Sequence, residues 1–373
     1  MFTKKSLKIF VDGYLLNKEP QGTKTYIKEL YKSLASQNNN IEIYIGCFKE
    51  QKVEEEFKDY KNIHFIYFKQ RNRFLRMLFE IPKLLKVNTF DFAHFQYVIP
   101  FVRNKNCNYI VTIHDILFND YKQYFTFLYR LKRNFLFKYS AVKSDYLLTV
   151  SEYSKQRIKE IYKLENKPIY VIPNGVSEVF FQENKKEVSE EFIKTKYNIK
   201  DFILYVSRVE PRKNQQQLLN SFSKIKNKDL SLVFIGKKTL ENKELEKVYV
   251  SLSKNVKERV YFLEDISEKD LIEFFRGAKA FVYPSLAEGF GIPPIEAAAI
   301  GLPVLCSNST AMEDFDFFKP YHINFLNTAD VENYIDALLN DKDYPAKRIQ
   351  KIVKDKYTWK SSAMAFSKIL LKK

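Results

Sequence analysis

The chain has 373 residues, of which 45% are hydrophobic and 29% are charged. This length predicts two domains, each large enough to bury its own core. The three cysteines, Cys47, Cys107 and Cys306, are scattered and odd in number, which excludes a disulfide framework and a cysteine-based zinc site and indicates a reducing compartment. We expect no signal peptide, and no uncharged apolar run approaches the roughly 18–20 residues that span a bilayer. Composition therefore excludes a collagenous, disordered or integral membrane protein.

The 62 Lys and Arg residues outnumber the 45 Asp and Glu residues, which gives a net charge of +17. The excess is uneven, because residues 1–180 hold 30 basic against 18 acidic side chains, whereas residues 181–373 hold 32 against 27. A basic first half suits an anionic partner such as nucleic acid, an anionic membrane surface or a phosphorylated ligand. A general bias toward lysine is the alternative explanation.

The first half alternates short apolar runs with helical stretches. Residues 25–37 predict a helix, with the apolar side chains of Ile27, Leu30 and Leu34 on one face. The predicted strands are 7–13, 41–48, 90–96, 108–115 and 145–151, and a Pro-Asn-Gly turn in 170–176 closes the half. Continuous apolar strands separated by helices favour a parallel sheet covered on both faces.

Residues 177–200 have mixed charge and no strand period, and they predict a linker with a short helix. A second alternation follows, with predicted strands at 202–208, 230–237, 260–265, 280–285 and 302–308 and helices at 216–225, 267–278 and 293–301. The chain therefore holds two α/β halves, each with a doubly wound pattern.

The most informative segment runs from Glu288 to Glu296, with the sequence EGFGIPPIE. A predicted strand enters a glycine-containing loop, and a Pro-Pro pair then begins a helix. Gly289 and Gly291 allow the backbone to approach a ligand closely, and N–H groups at a helix N-terminus suit a phosphate or a sugar hydroxyl. We expect Glu296 in the first turn of the helix and both carboxylates as acceptors for hydroxyl groups. Helix capping by Glu296 and a solvated Glu288 is the structural alternative.

Charged residues also follow two other predicted strands. Arg208, Arg212 and Lys213 come directly after the strand that begins the second half, at the edge where doubly wound sheets bind ligands. Such a cluster suits a diphosphate, although ordinary surface charge is the alternative. His114 ends a strand of the first half, where an imidazole can donate to a substrate or relay a proton. A lone histidine is more often structural, but its position favours a functional role.

These segments resemble the retaining glycosyltransferases of family 4. EGFGIPPIEAAAIGLPVLCSN (288–308) resembles the E-x7-E block of that family, and YVSRVEPRKN (205–214) resembles its diphosphate-binding loop. Further blocks match in the expected order, namely VTIHD (111–115), VSEYSK (150–155), VIPNGV (171–176) and the final helix within 357–370. The resemblance covers nearly the whole chain.

The resemblance implies a GT-B fold of the α/β class, with two doubly wound Rossmann-like domains facing a cleft. Residues 1–178 would form the acceptor-side domain, 179–200 the linker and 201–356 the domain that binds the nucleotide sugar. Residues 357–373 would form a C-terminal helix that crosses back to the N-terminal domain.

The resemblance also implies the roles of individual residues in a hexosyl transfer. Arg208 and Lys213 would hold the donor diphosphate, with Arg212 beside them. Glu296 would bind the ribose hydroxyls, while Glu288 would face the transferred sugar, next to the backbone of Gly289, Phe290 and Gly291. His114 would sit across the cleft, near the reacting carbon, and the catalytic set would be His114, Glu288, Arg208 and Lys213. The sugar would keep its anomeric configuration, and no metal or other cofactor would be required because cations stabilise the leaving diphosphate.

Two parts of the donor site follow less directly from the resemblance. The first loop of the family often carries closely spaced glycines, whereas this chain offers Gly13 and then only Gly22 before the helix. We still expect Gly22 near the donor phosphate or the acceptor. The nucleotide base would meet the loop from Leu263 to Ile266. The family neighbourhood suggests GDP-mannose or a UDP-hexose as donor and a glycan or lipid-linked saccharide as acceptor, in bacterial surface polysaccharide or O-antigen synthesis.

Two basic segments of the first half mix cations with aromatic and aliphatic residues. Residues 69–86 hold six cations and one acidic residue, and residues 121–143 hold six cations and no acidic residue. Both are typical of basic amphipathic helices, which lie on anionic bilayers, although core helices with a solvated basic edge are nearly as good an interpretation. We expect a cytoplasmic protein, peripheral on the inner face of the membrane, and no nucleic acid partner because no nucleic-acid motif accompanies the charge.

Other functions remain open at this level. A nucleotide-sugar epimerase or a glycoside phosphorylase can share the fold, and a membrane or nucleic-acid scaffold with a degenerate site belongs to another class. The intact pairs Glu288 with Glu296 and Arg208 with Lys213 argue against degeneration.

Overall fold

The computed structural model describes residues 6–18, 21–182 and 184–371. The chain divides into two compact units, residues 1–175 with 359–373 and residues 176–358. No helix among the described residues is long and apolar enough to cross a membrane.

The first unit is built on a parallel sheet, of which seven strands lie in the described part of the chain. The strands are β1 (Leu7–Asp12), β2 (Ile41–Cys47), β3 (Ile63–Tyr67), β4 (Phe92–Gln96), β5 (Asn108–Thr112), β6 (Tyr146–Thr149) and β7 (Ile169–Val171). Their order is β3-β2-β1-β4-β5-β6-β7, so the strand order reverses between β1 and β4. Ligands bind at such a reversal, beyond the carboxyl ends of the strands.

The helices of this unit connect the strands. They are α1 (Gly22–Gln37), α2 (Gln51–Phe57), α3 (Arg73–Leu75), α4 (Ile81–Val87), α5 (Phe127–Lys143) and α6 (Glu152–Tyr162). A π-helical turn, Arg76–Glu80, joins α3 to α4, so the basic segment 69–86 is helical over most of its length. In α1, Ile27, Leu30 and Leu34 are fully buried as their spacing predicts.

The second unit repeats the plan with a smaller parallel sheet. Its strands are β8 (Phe202–Val206), β9 (Ser231–Ile235), β10 (Val260–Leu263), β11 (Ala280–Tyr283), β12 (Val304–Ser307) and β13 (His322–Ile323), in the order β10-β9-β8-β11-β12-β13. Its helices are α7 (Lys186–Tyr197), α8 (Gln215–Lys224), α9 (Lys243–Ser251), α10 (Lys254–Lys257), α11 (Glu268–Gly277), α12 (Ile292–Ile300), α13 (Val331–Asn340) and α14 (Ala346–Lys356). The strand order reverses between β8 and β11, which brings their following loops together.

The last helix, α15 (Trp359–Leu370), belongs to the first unit. Its residues pack against α1, where the rings of Trp359 and Tyr26 lie 6.1 Å apart and those of Phe366 and Tyr31 also lie 6.1 Å apart. The Ser362 hydroxyl donates to the carbonyl of Pro173 at 2.7 Å. The chain thus returns to its first unit, as the resemblance implies.

The segment expected as a linker, 179–200, is part of the second unit. Helix α7 lies in it, and Tyr197 packs on Phe274 of α11 with ring centroids 4.9 Å apart. The Ser189 hydroxyl and the Lys196 ammonium also bond carboxylates of α11 at 2.5 and 2.7 Å. The mixed charge of this segment therefore marks the outer face of a packed helix. The chain passes from one unit to the other at residues 175–176 and again at 358–359.

Candidate active site

The second unit gathers charged side chains where its strand order reverses. Strand β8 is followed by a short 3-10 turn, Pro211–Lys213, and β11 is followed by the loop that leads to α12. The two strands are hydrogen-bonded neighbours in parallel orientation, so both loops leave the same edge of the sheet. The carbonyl of Arg212 accepts from the backbone N–H of Leu286 at 2.8 Å, which ties one loop to the other.

Glu288 is the centre of this cluster. Its side-chain Oε1 forms an ion pair with Lys213 and accepts hydrogen bonds from the Tyr283 hydroxyl at 2.7 Å and the Ser285 hydroxyl at 2.8 Å. The other carboxylate oxygen lies 3.3 Å from Nη1 of Arg212. Glu288 and Lys213 are each only 8% exposed. The structure therefore excludes the structural alternative of a solvated Glu288, because the carboxylate is buried and hydrogen bonded.

Glu288 carries a negative charge throughout the physiological pH range. Burial alone would raise the pKa of its carboxyl group, but the charges of Lys213 and Arg212 outweigh burial and hold that pKa at about 2. Arg212 is oriented by two further acceptors, Glu210 at 2.8 Å and the carbonyl of Ala287 at 2.5 Å. The site thus holds two cations, Lys213 and Arg212, against the carboxylates of Glu288 and Glu210.

Arg208 lies in the same loop as Arg212 and Lys213. It follows the end of β8 by two residues and is exposed. The amide of Gln215, in the first turn of α8, donates to the Arg208 carbonyl at 2.9 Å and fixes the backbone there. Gly236 packs against the same point, since a Cβ there would lie 2.1 Å from the Ser207 carbonyl oxygen. The structure thus brings Arg212 and Lys213 to Glu288, and it places Arg208 as an exposed residue just beyond the end of β8.

One position of the glycine loop, Gly291, requires glycine for its backbone conformation. Gly291 has a φ of +96° and caps the N-terminus of α12, a conformation that favours glycine. A Cβ there would also lie 3.1 Å from Met312 Cγ. The ring of Phe290 is buried, 5.6 Å from that of Phe315. Phe290 therefore anchors the loop with its side chain, while Gly289 is half-buried; ligand contacts by their backbone N–H groups stay a prediction.

Glu296 is the fifth residue of α12, one position further from the helix N-terminus than expected. The helix begins at Ile292, with Pro293 in its first turn, so Glu296 belongs to the second turn and receives little from the helix dipole. Burial raises the pKa of its carboxyl group to about 8, with a further contribution from the charge of Glu268. Glu296 is thus largely protonated at neutral pH in the unliganded chain, and its ribose-binding role stays a prediction.

A pocket of about 510 Å³ opens at the carboxyl ends of β8, β9 and β10. Its apolar part includes Phe234, Phe262 and Tyr249, and the rings of Phe234 and Phe262 stack at 4.9 Å. Glu264 also lines it. The predicted base contacts are Leu263, the last residue of β10, and Ile266, three residues later, and neither is among the lining residues. The base-binding role of Leu263 and Ile266 stays a prediction.

In the first unit, His114 is buried just beyond the end of β5. Its Nε2 lies 2.8 Å from Oε1 of Gln96, to which it donates, and its ring packs edge-on against Tyr26 at 4.8 Å. Burial lowers the pKa of His114 to about 3, so the imidazole is neutral and Nδ1 is its acceptor. A neutral imidazole does not supply a proton at neutral pH, and the catalytic role of His114 stays a prediction.

The partners of His114 form a buried polar network that the sequence analysis missed. Gln96 and His94 lie on β4, whose neighbours are β1 and β5. Both ring nitrogens of His94 form hydrogen bonds. Nδ1 lies 2.6 Å from the Tyr31 hydroxyl, and Nε2 lies 2.7 Å from the Thr112 hydroxyl. The sequence does carry a signal for this network, namely polar residues toward the carboxyl end of an otherwise apolar strand. Ligands bind at that edge of such a sheet.

Gly22 is the first residue of α1 and is exposed. A Cβ there would meet nothing within 4 Å, so packing within the chain does not require glycine. Its contact with the donor or acceptor stays a prediction. Within the described residues, no group of three or more His, Cys, Asp or Glu side chains is arranged to hold a metal ion.

Residues 20–179 match the family described as Glycosyltransferase Family 4, and residues 187–355 match the family described as Glycosyl transferases group 1. An O-antigen chain mannosyltransferase of Salmonella typhimurium, RfbU, is 30% identical over 253 residues, which are 67% of this chain and 64% of that protein. The alignment thus spans less than two thirds of this relative.

Two solved structures share the fold over nearly the whole chain. Sucrose-phosphate synthase from Thermosynechococcus elongatus has a TM-score of 0.77 and 16% identity, covering 97% of this chain and 98% of its own. Anabaena HepE, solved in complex with UDP and glucose, has a TM-score of 0.73 and 13% identity, covering 98% of this chain and 99% of its own. These likenesses confirm the predicted GT-B fold. Since the two matched segments together account for both units, the chain belongs to glycosyltransferase family 4.

Proposed function

We propose that this protein transfers a hexosyl group from a nucleotide-activated sugar to a glycan or lipid-linked saccharide in surface polysaccharide synthesis. The observation that carries the proposal is the buried cluster of Lys213, Arg212 and Glu288 at the reversal point of the second sheet. Fixed cations at this edge suit a diphosphate, and a fixed carboxylate beside them suits sugar hydroxyls.

In this proposal the donor diphosphate lies between Arg208 and Lys213. Glu288 and the backbone N–H groups of Phe290 and Gly291 contact the sugar. Glu296 accepts from the ribose hydroxyls, which requires the carboxylate form, and the base occupies the pocket beside Glu264. Mannose is the favoured sugar because RfbU is named a mannosyltransferase. A UDP-hexose is the second candidate, since HepE was solved with UDP and glucose.

The chemistry proposed is substitution with retention at the anomeric carbon. The bond from the anomeric carbon to the diphosphate oxygen breaks, and the acceptor oxygen bonds to the same face of the sugar. The acceptor proton passes to the departing diphosphate. Arg208 and Lys213 stabilise the charge that develops on this leaving group, which is the reason to propose transfer without a metal ion. His114, being neutral, would orient a sugar hydroxyl rather than shuttle the proton.

We further propose that the first unit rests on an anionic membrane surface at the cytoplasmic side. Helix α5 exposes Phe127 by 71%, Leu128 by 73% and Phe135 by 65%, and Phe74 of α3 is 65% exposed. Since 121–143 carries six cations and no acidic residue, its charge complements anionic lipid. Phe127→Ser with Leu128→Ser should release the protein from phosphatidylglycerol vesicles in a sedimentation assay, whereas Val250→Ser, an equally exposed site in the second unit, should not. Equal sedimentation of both variants would contradict membrane contact through α5.

Release of nucleoside diphosphate tests the proposed function. The protein is incubated with GDP-mannose, UDP-glucose and UDP-galactose, each with membranes that supply acceptors, and the free nucleotide is measured together with labelled glycan. We expect one donor to be consumed, Glu288→Gln to be inactive and the exposed α7 variant Glu187→Gln to retain full activity. Formation of sugar 1-phosphate from inorganic phosphate, epimerised donor or no turnover at all would contradict the transferase.

A further inference from the structure

A second pocket lies wholly within the first unit, where its strand order reverses. It has a volume of about 370 Å³ and is lined by residues that follow β1, β4 and β5, including Tyr14, Tyr97 and Asp115. Helices α3 and α5 complete it with Arg73 and Arg133. The volume suits a single sugar with a small substituent. None of the donor-binding residues proposed above lines it.

The two arginines of this pocket are held by aromatic rings. The guanidinium carbon of Arg73 lies 4.9 Å from the ring centre of Tyr14, and that of Arg133 lies 5.0 Å from Tyr129 and 5.3 Å from Phe137. Neither guanidinium has an ion-pair or hydrogen-bond partner among residues 6–18, 21–182 and 184–371. Stacking fixes the plane of a guanidinium while its N–H groups stay available, which is the arrangement that binds a phosphoryl group in a forked manner.

The rest of the lining points to a sugar phosphate rather than a polyanion. Asp115 supplies the one carboxylate among the described lining residues, and its Oδ1 accepts from the backbone N–H of Leu117 at 3.2 Å, which fixes its orientation. A carboxylate accepts from sugar hydroxyls and repels additional negative charge. The hydroxyl of Tyr97 lies 3.4 Å from that of Thr23 at the pocket wall, so further polar contacts to a sugar are available.

We propose that this pocket binds the phosphoryl group of a phosphorylated acceptor between Arg73 and Arg133. The inference rests on the proposed transferase, since it identifies the acceptor class. Both arginines lie on the helices whose outer sides expose Phe74, Leu128 and neighbouring apolar side chains. A phosphate on a lipid carrier and a phosphate on a soluble sugar share the same chemistry, and the pocket recognises that shared group.

Titration of two phosphorylated probes tests the proposal. Farnesyl diphosphate represents a lipid carrier, and mannose 1-phosphate represents a soluble sugar phosphate. Because a charge-assisted bond to phosphate is worth about tenfold in affinity, Arg73→Gln with Arg133→Gln should weaken binding by about 100-fold. The matched variant Lys132→Gln with Lys138→Gln, which removes two exposed charges from α5, should change the affinity less than about twofold. Loss for both probes identifies the phosphoryl group alone as the determinant, and loss for farnesyl diphosphate only identifies a lipid carrier.

Unchanged affinity in the arginine variant, or an equal loss in the lysine variant, would overturn the proposal. The melting temperature of each variant is measured alongside, so that unfolding is not mistaken for lost binding. A separate assay tests the proposed transferase itself. It measures the slow hydrolysis of the nucleotide sugar by the wild type in the absence of acceptor. The lysine variant, whose two substitutions lie outside the pocket, should hydrolyse the donor at the wild-type rate. If the wild type consumes no nucleotide sugar, the transferase fails whatever the probe titrations show.

Discussion

Replacement of Glu288 by leucine should destabilise the second unit as well as abolish transfer. The substitution leaves the buried ammonium of Lys213 without its carboxylate, and removal of one partner from a buried ion pair costs about 3–5 kcal/mol. The pKa of Glu288 gives a similar magnitude, because about 2 in place of 4.5 corresponds to about 3 kcal/mol. A loss of this size lowers the melting temperature of a domain by about 10 °C.

The pH dependence of this loss has a defined sign. The folded-state pKa lies below the ordinary value of 4.5, so the carboxylate stabilises the fold above pH 4.5 and the contribution disappears as the pH falls toward 2. Scanning calorimetry of the wild type and Glu288→Leu should therefore show the full difference at pH 7.5 and a smaller difference at pH 3.5.

A double substitution separates charge from packing. Lys213→Met removes the other partner and should destabilise by a similar amount. Lys213→Met combined with Glu288→Leu replaces the ion pair by apolar side chains, which is close to neutral in other buried pairs, so the double variant should melt above either single variant while remaining inactive. The buried ion pair would be refuted by single variants that melt within about 2 °C of the wild type, or by a double variant less stable than both.

Three further outcomes follow from the site. Donor affinity should rise between pH 6.5 and 9 as Glu296 ionises near pH 8, and calorimetric titration of Glu296→Gln should show a flat profile; a pH-dependent variant would exclude Glu296 as the cause. Nitrogen NMR should show His114 neutral and protonated on Nε2 from pH 5 to 8, because its pKa is about 3, and a titration in that range would be contradictory. Arg208→Gln should weaken nucleoside diphosphate binding about tenfold without lowering the melting temperature, whereas the exposed Lys226→Gln should bind normally; equal affinities would remove Arg208 from the donor site.

The sequence could predict the fold because its apolar runs are regular and each is followed by a turn or helix signal. The runs at 202–208 and 280–285 contain β8 and β11, and the Pro-Pro pair marks the start of α12. Strand β3 was missed, since it lies at the edge of its sheet and is only partly buried. The short β13 was missed because two residues carry no period.

The site was predictable in its residue types and not in its pairings. Glu288 and Lys213 are 75 residues apart, and their ion pair depends on β8 and β11 being neighbours in the sheet. The motifs therefore predict both residues, whereas their ion pair depends on a neighbourhood of strands that the motifs do not contain. The position of Glu296 in the second turn has a local origin. The helix begins at Ile292, before the proline pair and not at it.

Binding of a nucleoside diphosphate to the second unit is the property on which the proposed function depends. Its most direct test is the melting temperature of the protein with GDP, UDP, GDP-mannose and UDP-glucose, each with and without Mg²⁺. A ligand at 100 times its dissociation constant stabilises the folded state by about 2.7 kcal/mol, which is a shift of about 5–10 °C. We expect GDP and GDP-mannose to give this shift without metal, and Arg208→Gln to reduce it. The absence of a shift with every nucleotide, or a shift that Arg208→Gln leaves unchanged, would contradict the proposed donor site.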